Sequence, residues 1–219
     1  MADDLACRVT GLARRLKGIA LHTEPSYRIS YNFDATGRRG VCEGVAFPAD
    51  LDEARRVIRA AGEADVPLFV RGAGTGFSGG AVPEAGGLVV STERLRRVLS
   101  LDRDRLEVDV ECGMVNRELQ DFLEPEGLFY PPDPASLKVS TIGGNIAENA
   151  GGPRAYRYGV TRRYVRALTW ITAAGETVTT PAGGPAALLV GSEGTLGFVY
   201  SARLSLLALP EERRTSLLS

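Results

Sequence analysis

The sequence predicts an α+β fold built as two lobes. Three observations carry this. A strand, a helix and a second strand follow one another within residues 44–70 and form one parallel unit. Strands joined by tight turns, an antiparallel pattern, fill the second half. A break near Gly86-Gly87 or Ser91 divides the chain into lobes of about 1–90 and about 91–219.

The elements follow in order. Leu5, Val9, Leu12 and Leu16 recur at helical spacing, and Gly18 ends the helix. Thr23 to Gly40 has no clean period and reads as an extended loop. Gly44-Val45-Ala46-Phe47 is strand-like and stops at Pro48. Asp50 caps the next helix, with Glu53 three residues on as a capping box. Leu51, Ala54, Val57, Ile58 and Ala61 form its apolar face, and Leu68-Phe69-Val70 is a short buried strand. Further strands run over Leu88–Ser91 and Val98–Leu101. Leu106, Val108 and Val110 alternate with acidic residues as in a half-buried strand. A short helix covers Val115–Leu123. A long strand, Tyr164–Thr172, turns at Ala174-Gly175-Glu176, and a last strand runs from Phe198 to Leu209.

Bulk properties exclude several classes. The 219 residues carry a net charge of -1 and scattered arginines, not the basic stripe of a nucleic-acid binder. No apolar run is long enough to span a bilayer, and the acidic N-terminus lacks a secretory core. Three widely spaced cysteines, Cys7, Cys42 and Cys112, suit reduced thiols and a cytoplasmic location. With one histidine, His22, no metal site is expected.

The sharpest feature is Arg71-Gly72-Ala73-Gly74-Thr75-Gly76-Phe77-Ser78-Gly79-Gly80, directly after a strand. Glycines at this density let several backbone N–H groups turn into one concavity and bind phosphate oxygens. Thr75 and Ser78 add hydroxyls. Arg71 adds charge to the loop or serves as a structural partner. The run formally matches G-x-G-x-x-G, with Glu93 in the place of an acidic ribose ligand. A Rossmann unit, however, needs a helix to start inside the motif, and Pro83, Gly86 and Gly87 leave no room for one. The cradle is therefore expected to consist of loop amides.

A second segment, residues 131–159, opens with rigid prolines and continues through Ser136, Ser140, Thr141, Gly143-Gly144, Asn145 and Asn149. Ile142, Ile146 and Ala150 predict a short helix starting near Gly144, with an N-terminus suited to phosphate. A third, Gly191-Ser192-Glu193-Gly194-Thr195-Leu196-Gly197, precedes the last strand. Three such segments in one small chain point to a large polar ligand.

These runs, with Tyr31–Thr36 and Tyr158-Gly159-Val160-Thr161-Arg162, resemble the FAD-binding domain of the vanillyl-alcohol oxidase/PCMH-type flavoproteins. The likeness is greatest to FAD subunits of glycolate oxidase and to D-lactate and D-2-hydroxyglutarate dehydrogenases. The resemblance implies a two-lobed PCMH-type fold holding FAD between the lobes, without the substrate-binding cap of full relatives. It implies that Arg71, Gly72, Ala73, Gly74, Thr75, Gly76, Ser78, Gly79 and Gly80 hold the diphosphate. Pro132, Asp133, Ser136, Thr141, Gly143, Gly144 and Asn145 would line the diphosphate and flavin. Gly151, Gly152 and Tyr158 would lie near the isoalloxazine, and Glu193, Gly194 and the strand through Val199 by the adenosine.

Relatives that attach FAD covalently use a histidine in the first loop or a cysteine before the second glycine pair. Neither is present here, so FAD is expected to be non-covalent. Arg163 stands where relatives commonly carry an acid. The activity implied is oxidation of a small 2-hydroxy acid, most of all glycolate, with hydride passing to the flavin, in company with other subunits of a hetero-oligomeric oxidase. The alternative is a non-catalytic FAD-holding or assembly subunit. A third reading, an NADPH-dependent enolpyruvyl-sugar reductase on the same fold, fits the Pro-Pro-Asp-Pro-Ala-Ser and Ala-Glu-Asn-Ala-Gly-Gly motifs less well. No catalytic residue is assigned: His22 is remote from the motifs, and Tyr156, Tyr158 and Tyr164 suit packing on a ring.

Overall fold

The structure, a computed structural model, describes residues 2–212. Helix α1 (Ala2–Arg15) is followed by strand β1 (Ala20–His22), a short helix α2 (Pro25–Arg28) and a 3₁₀ turn over Ile29–Tyr31. Thr23 to Gly40 is thus not the featureless loop that its lack of period suggests. Pro25 at the start of α2 and local turns such as Asn32 N–H to the Ile29 carbonyl organise it.

Strand β2 (Cys42–Phe47) leads through Pro48 into α3 (Leu51–Glu63). Asp50 caps the helix as the spacing predicts, whereas Glu53 reaches back one residue beyond the cap, so the reciprocal bond of a capping box is shifted to Ala49. The Glu53 N–H donates to Asp50 Oδ1 at 2.8 Å, and the Glu53 carboxylate accepts from the Ala49 N–H at 2.7 Å. Strands β3 (Leu68–Arg71) and β4 (Gly87–Ser91) complete a sheet of order β1-β2-β4-β3. β2 and β3 each pair in parallel with β4, which lies between them, and β1 pairs antiparallel with β2. Residues 72–86 join β3 to β4 with no helix.

The second sheet is fully antiparallel. β5 (Val98–Asp102), β6 (Glu107–Glu111), β8 (Val165–Ile171), β9 (Thr177–Pro181) and β10 (Phe198–Ser205) take the order β5-β6-β10-β8-β9. Helix α4 (Asn116–Leu123) and strand β7 (Leu128–Phe129) follow β6. Helices α5 (Ile142–Glu148), α6 (Ala155–Tyr158) and α7 (Gly184–Leu189) complete the helical set. The expected last strand, Phe198 to Leu209, is divided at Leu206. Its second piece, β11 (Leu207–Ala208), leaves the sheet and pairs with β7.

Two large cores support this frame, beside a small cluster of Cys42, Val45 and Val89 on the first sheet. One packs α1 and α3 on the first sheet and takes in Leu95, Cys112, Ile171, Phe198 and Tyr200 from beyond it. The other lies on the second sheet, with Leu119, Leu123, Ile142 and Ile146 from α4 and α5. The first core thus crosses between the sheets, which fixes them against each other. No helix among the described residues is long and apolar enough to cross a membrane.

Candidate functional site

The glycine segments meet in a cavity of about 720 Å³. That lies within the range of small-molecule and cofactor sites. The loop after β3 forms one wall. Residues 134–136 and 140–152, including most of α5, form the opposite one, and Glu193 reaches in from before β10.

The first loop has an unusual hydrogen-bond state. None of the backbone N–H groups from Gly72 to Ala81 donates to an acceptor among the described residues. Backbone donors that fail to find protein partners in a folded domain are met by water or a ligand. Glycine is required at several points of this loop, among them Gly79 at φ +88°. A Cβ on Gly72 would overlap Thr141 Oγ1, so the two loops could not close. Gly74 has φ +66°, and a Cβ there would run into the Arg71 guanidinium.

Arg71 does not reach into the cavity. It is buried, and its Nη1 donates to the Phe33 carbonyl at 2.7 Å and its Nη2 to that of Ser30 at 3.4 Å. Its guanidinium carbon also lies 5.3 Å from the Tyr31 ring centroid. Arg71 therefore anchors the segment before β2 beneath the loop, and it lines a smaller pocket of about 330 Å³ behind Gly72 and Ala73. Burial and then the nearby Glu93 carboxylate push the Tyr31 hydroxyl pKa well up, so it stays a donor, 2.5 Å from Glu93.

Helix α5 starts at Ile142, two residues before the expected Gly144, because Thr141 is the cap: its Oγ1 accepts from the Gly144 N–H at 3.1 Å. The N-terminus of this helix is not a phosphate site of its own. Ile142 N–H donates to Met114, Gly143 N–H to Cys112 and Gly144 N–H to Thr141, so the first-turn donors are already engaged. What the helix presents instead is side-chain chemistry. Asn145 Nδ2 and Ser140 Oγ are buried at the cavity wall and have no partner among the described residues. Such orphaned polar atoms are costly unless something completes them.

The expected ligand residues distribute as follows. Gly72, Ala73, Gly74, Thr75, Gly76, Ser78, Gly80, Ser136, Thr141, Gly144, Asn145, Gly151, Gly152 and Glu193 all line the main cavity. Gly143, Gly194 and Val199 line a tight pocket of about 60 Å³ beneath it. Gly79, Pro132, Asp133 and Tyr158 lie outside both linings. Asp133 instead ion-pairs with Arg154 at 3.1 Å, and its carbonyl packs under Gly152. The Pro132 carbonyl accepts from Asn116 Nδ2 at 3.2 Å. Tyr158 packs edge-on against Phe129 at 5.6 Å. Asn149 turns its amide to the Arg162 N–H, at 2.9 Å. Two lining acids were not foreseen as cavity residues, Asp34 and Glu148. The signal for Glu148 lay in Ala-Glu-Asn-Ala-Gly-Gly, next to the glycines. His22 stacks on Tyr27 at 3.9 Å, away from the cavity.

Comparison with known proteins matches this geometry to a family. The profile described as FAD binding domain matches residues 42–181. The chain belongs to this FAD binding domain family. Those 140 residues hold the first loop, the second glycine segment and α5, which are the walls of the cavity. FAD is the cofactor that the family supports, and the free loop amides, Asn145 Nδ2 and Ser140 Oγ are donors suited to its diphosphate and ring oxygens.

Among relatives of this FAD binding domain, glycolate oxidase subunit GlcD of Bacillus subtilis (strain 168) is 41% identical over 87% of this chain and 42% of its own length. D-2-hydroxyglutarate dehydrogenase of Xanthomonas citri pv. viticola is 36% identical over 97% of this chain and 47% of its own. The chain therefore spans less than half the length of these curated relatives. A solved structure of alkyldihydroxyacetonephosphate synthase superposes with a TM-score of 0.84 over 93% of this chain and 44% of its own, at 24% identity. That likeness shows the shared fold.

Proposed function

We propose that this chain is the FAD-holding part of a 2-hydroxy-acid oxidoreductase of the glycolate oxidase type. The observation that carries the reading is the loop from Gly72 to Ala81: its N–H groups have no acceptor among the described residues, and most of its residues line a cavity whose wall also holds Asn145 and Ser140, with Nδ2 and Oγ unpartnered among those residues. The 41% identity to a glycolate oxidase subunit supports the substrate class. FAD would supply the hydride acceptor, since the redox chemistry belongs to the cofactor.

The chain's own residues bind and orient. The loop from Gly72 to Gly80 would hold the diphosphate by neutral donors, with Ser78 and Thr75 adding hydroxyls. Thr141 locks that loop to α5 through its contact at Gly72. Asn145 and Ser140 would donate to polar edges of the flavin or diphosphate, and Gly151 and Gly152 allow the ring to lie close to the backbone. Attachment would be non-covalent: among the described residues neither a cysteine nor a histidine lines the main cavity. The remaining expected residues, Gly79, Pro132, Asp133 and Tyr158, would act from behind the wall by shaping it. Partner subunits and a cytoplasmic location are part of the same proposal.

The test is direct. The purified chain is reconstituted with FAD, and its visible spectrum is followed under anaerobic addition of glycolate, D-lactate or NADPH. Uptake of FAD with bleaching by a hydroxy acid alone is the expected result. A bound flavin that no donor reduces assigns the chain a holding role only, and a protein that takes up no FAD overturns the proposal.

A further inference from the structure

The charged side chains lining the main cavity are all acids: Asp34, Glu148 and Glu193. Among the described residues no lysine or arginine lines it; Arg71 and Arg96 line the smaller adjoining pocket that shares Gly72, Ala73 and Thr141 with it. Arg71 is turned onto the Phe33 and Ser30 carbonyls. Arg38, which packs on Gly79 from outside, is paired with Glu84 at 3.1 Å. A cavity expected to receive a dianionic diphosphate thus relies on neutral amides and confronts its ligand with carboxylates.

The three acids differ in position. Asp34 is buried, and its Oδ1 accepts from the Thr36 N–H at 2.8 Å and from the Thr36 hydroxyl at 2.5 Å. Glu193 lies against Gly80, with its Oε2 3.6 Å from where a Cβ there would stand. Glu148 reaches into the loop at Gly76 and Ser78. Its Oε2 accepts from Ser78 Oγ at 2.7 Å, and its Oε1 lies 2.7 Å from the place of a Cβ on Gly76. A phosphate seated on the loop amides around Gly76 to Ser78 is therefore a near neighbour of this carboxylate.

Such a wall tolerates limited negative charge. A phosphate esterified on both sides carries one charge, whereas a terminal phosphomonoester carries between about 1.5 and 2 at pH 7. Like charges close together in a partly desolvated cleft repel strongly.

We propose that Glu148 is a specificity-determining residue of this cavity: it disfavours ligands ending in a phosphomonoester and admits dinucleotides whose diphosphate is esterified at both ends. The inference rests on the reading of the cavity as a dinucleotide site and adds the class of phosphate that it accepts.

The test compares ADP-ribose with ADP as ligands of the 219-residue chain, each by calorimetry and by competition with FAD. The two share the adenosine diphosphate and differ at its far end. Wild type is expected to prefer ADP-ribose by about tenfold or more. Glu148→Gln keeps an oxygen for the Ser78 hydroxyl and removes the charge, so the preference should shrink to about threefold or less, chiefly through tighter ADP binding. Ribose contacts cancel in that comparison of ratios. Raising salt from about 0.02 M to about 0.5 M should shrink the wild-type preference clearly more than that of Glu148→Gln, in which only Asp34 and Glu193 still repel the extra charge, since salt screens charge and not shape. Thermal melting of both proteins establishes that they are folded. An unchanged ratio in a variant that still binds FAD overturns the inference alone, as does a parallel loss of both ligands, which marks Glu148 as a structural clamp. If wild type binds neither FAD nor ADP-ribose, the dinucleotide reading itself fails.

Discussion

The Tyr200 hydroxyl donates a 2.7 Å hydrogen bond to the fully buried carboxylate of Glu111. The same carboxylate accepts from the Arg97 backbone N–H at 2.8 Å and from its side-chain Nε at 3.0 Å and Nη2 at 2.7 Å. Glu111 ends β6, and its neighbour Cys112 takes the Gly143 N–H on its carbonyl. The network therefore fixes the turn on which α5 and the cavity wall rest.

Tyr200→Phe removes one of these donors and leaves the ring in place. Loss of a hydrogen bond to a charged group costs about 1.5 to 3 kcal/mol, and a fall in stability near the lower figure is expected because Arg97 still serves the carboxylate. Urea unfolding measures it through the midpoint at unchanged slope. A change below about 0.5 kcal/mol, the range of ordinary surface substitutions, contradicts the role given to this pair.

The network also sets a pH dependence. Burial by itself raises the Glu111 pKa, but the hydrogen bonds from Arg97 and Tyr200 outweigh it and hold the carboxyl below its usual range. The Tyr200 hydroxyl is pushed up to about 12 by burial and then by its bond to Glu111, so it stays a donor. A carboxyl whose folded pKa is depressed contributes its full stability above its unfolded value, about 4.3, and loses it as pH falls through the folded one. Glu111→Gln should therefore be less stable than wild type at pH 7, with the gap narrowing below about pH 4. Parallel unfolding curves across that range decide it; a gap that widens on acidification refutes the assignment.

Gly72→Ala tests the closure of the two loops. The added methyl overlaps Thr141 Oγ1, so FAD affinity is expected to fall by about tenfold or more, equivalent to at least 1.4 kcal/mol. Thr141→Ala removes that oxygen but also the cap of α5, at about 1 kcal/mol. In the double variant the overlap is relieved. The affinity loss should then be smaller than the sum of the single losses, which a double-mutant cycle of FAD titrations reads directly.

Asp50→Ala should cost about 1 kcal/mol by thermal or urea unfolding and leave FAD binding unchanged, because the cap of α3 lies outside the cavity lining. An equal loss of FAD affinity would show that α3 carries a role not given to it here.

The predictions differ in how much of their basis is visible in the chain alone. The Asp50 cap is. So are the apolar face of α3, the alternation in β6 and the rejection of a Rossmann unit from Pro83, Gly86 and Gly87. The split of the last strand at Leu206 is not, because β11 finds its partner in β7 far back in the chain. The convergence of the three glycine segments was inferred from their chemistry, but which atoms meet was not.

Local sequence determined what is settled within a few turns of backbone: helix spacing, caps, strand alternation and the flexibility of the loop after Val70. Tertiary structure decided the rest. It brought Ser78 to Glu148 across 70 positions and turned Arg71 onto carbonyls 38 and 41 residues away. It also consumed the first donors of α5 on Met114 and Cys112, while the N–H groups from Gly72 to Ala81 find no acceptor among the described residues. The reason is range. Propensity and capping act between neighbours in sequence, whereas the charge facing a ligand and the donors left over for it depend on which distant carbonyls the packed sheets bring within reach.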